Sequence, residues 1–129
     1  MKLLLLALFA AFGLASCDSG NAESSAIESK ENEIGVHYEA MVKHSKEFHR
    51  LERLMSENSK IFDEYWGDPA HSETIKLANE EGHRVGKKQV LAYDAFQEAA
   101  SAFLKAGGDP KIVKGFTEAF GPYSGAAYR

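Results

Sequence analysis

IGVHYEAMVKHSKEFHRLERLMSENSKIFDEYW, residues 34–66, carries two interleaved rows of seven-residue spacing. Ile34, Met41, Phe48, Met55 and Phe62 form one row. His37, His44, Leu51, Asn58 and Tyr65 follow three positions behind. This alternation of threes and fours is the pattern of a helix that packs one stripe against another helix. No proline interrupts it, and Gly35 alone weakens its start.

Toward the C-terminus, Gly67-Asp68-Pro69 breaks the pattern with a helix-ending glycine, an N-capping aspartate and a proline suited to a first helical turn. A second pair of rows follows: Ile75, Gly82, Gln89, Phe96 and Phe103, then Ala78, Val85, Ala92, Ala99 and Ala106. Small residues along a seam let two helix axes approach closely. Pairing the helices about a turn near Asp68 sets Met55 against Gly82 and Leu51 against Gly86, bulk against gap. Gly107-Gly108-Asp109-Pro110 repeats the break, and a short helix follows with Ile112, Val113, Phe116 and Phe120 on one face. Gly121-Pro122 ends it. The expected fold is all-α: an antiparallel hairpin of two long helices closed by a short C-terminal helix, spanning residues 33–129.

Toward the N-terminus, residues 18–31 read DSGNAESSAIESKE, with Ile27 as the one large apolar side chain. Such a composition does not bury enough surface to offset its ordering entropy. Residues 17–32 are therefore expected to be a flexible tether, although Ser25 and Glu28 have capping-box spacing and the first helix is free to begin there. Before it, Lys2 precedes the uninterrupted apolar run LLLLALFAAFG, residues 3–13. That run is shorter than the roughly 20 residues needed to span a bilayer. Leu14-Ala15-Ser16-Cys17 follows directly. It resembles the lipobox of bacterial lipoproteins, an aliphatic residue and two small residues before cysteine. The resemblance implies a signal peptide over 1–16 and a mature chain beginning at Cys17, whose thiol carries the lipid and whose acyl chains, palmitate among them, provide the membrane anchor. Asp18 after that cysteine resembles the inner-membrane retention signal of enteric bacteria, a rule that varies elsewhere, so inner and outer membrane both stay open. Cys17 is the only cysteine, so no internal disulfide forms.

The formal net charge is −4, and loss of residues 1–16 would make it −5. An acidic domain of this kind does not attract a phosphate backbone, so nucleic acid is not an expected partner. No Gly-x-Ser-x-Gly elbow or phosphate-binding loop is present, and Gly82-x-x-x-Gly86 lacks the lysine and hydroxyl residue of such a loop. No enzyme and no cofactor is expected.

Among the five histidines, only Glu33/His37, His37/Met41, Met41/His44 and Glu80/His83 have chelating spacing within a helix. His37 and His44 are about 10.5 Å apart along a helix axis, too far for one small ion. These two are expected at the core edge, hydrogen-bonded across the hairpin. The alternative is a metal- or pH-responsive protein built on His37, Met41 and His44. Aromatic residues crowd the C-terminal end at Phe116, Phe120, Tyr123 and Tyr128. Either they cover the open end of the hairpin, or Phe120, Tyr123 and Tyr128, with Trp66 at the opposite end, are contact residues for a partner. The residues after Gly121 include no seam position, so the docking alternative expects their removal to leave stability near wild type. The leading functional expectation is a lipid-anchored cell-envelope protein that works by contact with another envelope protein, in a pilotin-, exclusion- or immunity-like role.

Overall fold

A computed structural model of the chain describes residues 21–129, with side chains from Ser25 onward. The expected signal peptide, Cys17 and the start of the expected tether lie outside the described residues. The described residues contain three α-helices and no strand: α1 Asn21–Tyr65, α2 Ser72–Lys105 and α3 Pro110–Phe120. Short 3-10 turns lie at Pro69–His71 and Ala126–Tyr128. None of these helices is long and apolar enough to cross a membrane.

The chain divides into two units, Met1–Asn32 and Glu33–Arg129. In the first, the expected tether is helical from Asn21, upstream of the suggested capping box at Ser25. Side chains 25–32 are all exposed. Lack of apolar residues rules out a packed face, but it does not rule out a solvated helix. Ala26, Glu28, Lys30 and Glu31 are good helix formers, and each residue added to an existing helix gains one backbone hydrogen bond.

In the second unit the two long helices pack against each other as the heptads require. All ten seam positions of 34–65 are buried or half-buried, and so are all ten of 75–106. Met41, Phe48, Leu51, Phe96 and Phe103 are the largest fully buried side chains. Each contributes roughly 1.5–3 kcal/mol through removal of apolar surface from water.

Both corners follow the Gly-Asp-Pro chemistry. Gly67 and Gly107 take positive φ, at 80° and 98°. The Asp68 carboxylate accepts from the Ala70 amide and the Asp109 carboxylate from the Lys111 amide, each at 2.9 Å. Pro69 and Pro110 occupy first-turn positions, where the missing amide proton costs nothing.

The register differs in detail from the expected pairing. A Cβ added at Gly82 would meet Asn58 Nδ2 at 3.0 Å. That nitrogen donates across the hairpin to the Ala78 carbonyl at 2.6 Å. The space at Gly82 therefore admits the Asn58 amide to the backbone of α2, where Met55 was expected to fill it. Gly86 is covered by Tyr128, where Leu51 was expected.

Helix α3 packs on the hairpin through Val113, Phe116 and Phe120, running from near its open end at Tyr38 back to its middle at Phe48. Phe120 is 5% exposed, with its ring centroid 4.6 Å from Phe48 and 4.5 Å from Phe96. Phe116 reaches Tyr38 and Phe96 at 6.2 and 5.6 Å. Ile112, expected on the same face, is instead exposed.

Candidate functional site

Of the candidate contact aromatics, Trp66 lies at the turn and the other three lie along the middle of the hairpin. Phe120 and Tyr123 converge on Phe48 and Tyr93. The Tyr123 ring lies 4.7 Å from Phe48 and 5.0 Å from Tyr93, both edge-on, the offset geometry that aromatic quadrupoles favour. Its hydroxyl is buried with no hydrogen-bond partner among the described residues, and burial raises its pKa. Phe120 is thus a core residue and Tyr123 a half-buried one, which fits the reading of these aromatics as a cover for the hairpin better than the docking alternative.

Residues 121–129 run back along α2 as a strap. Gly125, at φ 66°, packs against the Val90 side chain. The Tyr128 ring covers Gly86 and meets His83 edge-on at 5.9 Å. Arg129 donates to both carboxylate oxygens of Asp94 at 3.0 and 2.7 Å. These hydrogen bonds hold the Asp94 carboxyl below its ordinary value and raise the Arg129 guanidinium. Tyr128, also expected as a contact residue, is half-buried in this strap. Nothing in the seam periodicity marks it, although Val90 and Asp94, one helical turn apart beside Gly86, are the face it uses.

Trp66 fits the contact role better. It is 75% exposed, its centroid 6.3 Å from Phe62. Beside it Tyr65 stacks on His71 at 4.3 Å, and His71 in turn bonds Asp68 at 2.8 Å. The nearby Glu64 carboxylate raises the Tyr65 phenol. A cleft of about 180 Å3 opens next to Phe62, with Met55, Asn58, Gly82, His83 and Tyr128 around it. Sequence reading placed Asn58 and Gly82 on the seam without seeing this cleft. The available signal was a polar side chain level with a seam glycine.

The histidine alternative finds less. Met41 is fully buried among the core side chains. His37 faces Glu33 on its own helix at 3.9 Å, where a bond across the hairpin was expected. His44 has no hydrogen-bond partner among the described residues. Among the described residues, no group of three or more His, Cys, Asp or Glu side chains is placed to hold a metal ion. Comparison with family models, with curated proteins and with solved structures finds no match to the chain.

Proposed function

We propose that the chain is a lipid-anchored protein of the bacterial cell envelope, with its helical domain outside the cytoplasm and acting by contact with another envelope protein. Residues 1–16 direct export and Cys17 carries the acyl chains. The observation that carries this reading is the apolar run of residues 3–13 ending directly in Leu14-Ala15-Ser16-Cys17. Two or more acyl chains anchor stably where one is marginal. The helical domain adds a surface suited to contact: α3 and the strap cover the middle of the hairpin, while its turn end exposes an indole. No catalytic residue, cofactor or nucleic-acid partner is proposed.

Replacement of Cys17 by serine tests the anchoring. The wild type is expected to be processed and to pellet with membranes. The Cys17→Ser chain is expected to stay unprocessed at that site and to change its fractionation. Identical processing and pelleting of the two chains would overturn the lipoprotein reading.

A further inference from the structure

Resting on the reading of the chain as a contact protein, we propose that the turn end of the hairpin is its docking surface and that the partner is a basic protein segment placing one aliphatic side chain in the cleft beside Gly82. Three observations converge there. The first is the exposed Trp66, joined through Phe62 to the wall of the cleft. Indole faces attract lysine and arginine as well as apolar groups. The second is the cleft itself. At about 180 Å3 it is close to the roughly 150 Å3 cavity that holds one benzene ring, and below the roughly 300 Å3 at which ligand pockets begin. It therefore suits a single side chain: Met55, Phe62 and Tyr128 give it apolar walls, and Asn58, Ser59, Asn79 and His83 line its polar side.

The third observation is charge. Glu57, Asp63, Glu64 and Glu73 are exposed around this end, against Lys60 and Lys76. Among the described residues, none of these four carboxylates is in an ion pair. Residues 57–76 carry five carboxylates against two lysines, whereas residues 33–56 and 77–105 each carry four against four lysines and arginines. The unneutralised field attracts a cationic partner. It repels both anionic lipid and the same end of a second copy. Position agrees with this. The chain enters the unit at Glu33, and residues 33–65 rise about 1.5 Å each, so the turn lies roughly 50 Å from the side through which an anchor would connect.

Trp66 is the only tryptophan, so its fluorescence reports on this end alone. The full-length chain in dodecyl maltoside is titrated with the capped peptides KKLKK, KKGKK and EELEE. The expected result is a saturable shift of emission to shorter wavelength with KKLKK and none with EELEE. KKGKK is expected to bind about ten-fold more weakly, since one buried aliphatic side chain is worth roughly that factor. The exposed double variant Asp63→Lys/Glu64→Lys, with helix content unchanged by circular dichroism, is expected to lose the KKLKK response. An equal response to EELEE, equal binding of KKGKK, or no response to KKLKK overturns the proposal. So does a shift produced by phosphatidylglycerol vesicles or by raising protein concentration alone, which would assign the surface to lipid or to a second copy. The Cys17→Ser chain is expected to respond to KKLKK like the wild type. Failure of the peptide response therefore strikes this proposal, and failure of anchoring strikes the lipoprotein reading, independently.

Discussion

The Tyr128 ring sits so close to Gly86 that a Cβ there would fall 2.5 Å from its Cε1 atom. Contact this tight requires a residue with no side chain, and it explains a helix-interior glycine that costs about 1 kcal/mol relative to alanine. Gly86→Ala is expected to expel Tyr128 while leaving α2 intact. Hydrogen exchange should show lost protection over residues 122–129 with unchanged protection in 88–103. Unchanged protection of the strap would show that Tyr128 adjusts in place.

The Arg129–Asp94 pair should make the strap sensitive to acid. A carboxyl whose pKa is lowered by folding contributes stability above its unfolded value and loses it as pH falls through the folded one. With Asp94 held below its ordinary 3.8, release of the strap is expected only below that pH. Asp94→Asn is expected to give the same release at neutral pH. Chymotryptic cleavage after Tyr123 measures both, and cleavage of the variant at the wild-type rate would dismiss the pair as a clasp.

Deletion of residues 122–129 is expected to destabilise the domain by roughly 2–4 kcal/mol. It removes Tyr123 from the Phe48 cluster and uncovers Gly86 and Val90. This reverses the expectation of near wild-type stability that the docking alternative drew from the absence of seam positions after Gly121. Thermal denaturation of the shortened chain decides between the two.

Phe120 and Trp66 were grouped as contact residues and should separate sharply. Phe120→Ala is expected to cost about 3–5 kcal/mol, as deletion of a buried aromatic does. Trp66→Ala, at an exposed position, is expected to stay within about 0.5 kcal/mol. Urea denaturation followed by circular dichroism gives both values.

Gly82→Leu is expected to cost about 1–3 kcal/mol by overpacking against Asn58 and breaking its bond to the Ala78 carbonyl. A neutral or stabilising result would show that the cleft absorbs the added side chain without moving Asn58.

The hairpin was legible because its information is local and periodic. Met41, Phe48, Leu51, Phe96 and Phe103 fall where a 3-4 alternation puts them. The two corners are written in adjacent residues, Gly67-Asp68-Pro69 and Gly107-Gly108-Asp109-Pro110. What escaped was non-periodic. The strap has no heptad, so Tyr128 on Gly86 and Arg129 on Asp94 left no mark beyond the gap at Gly86, which the pairing assigned to Leu51. Helical pairing gave the level of Gly82 but could not choose between Met55 and Asn58, which lie one turn apart. The helix begins at Asn21, earlier in the tether than the capping-box spacing at Ser25 suggested, because low hydrophobicity speaks to packing and says little about a solvated helix. The acidic character of the turn end needed only a count by region, which the whole-chain charge of −4 conceals.

Phe48 has its closest ring partners at Phe120 and Tyr123, more than seventy positions further along the chain. The hairpin corner closes over a few residues, whereas this cluster must wait for a long loop to close. During synthesis, α1 and α2 emerge with Phe48, Phe96 and Tyr93 still open to solvent. Only the later residues 116–123 cover them, so until these have been made the chain carries an uncapped aromatic patch.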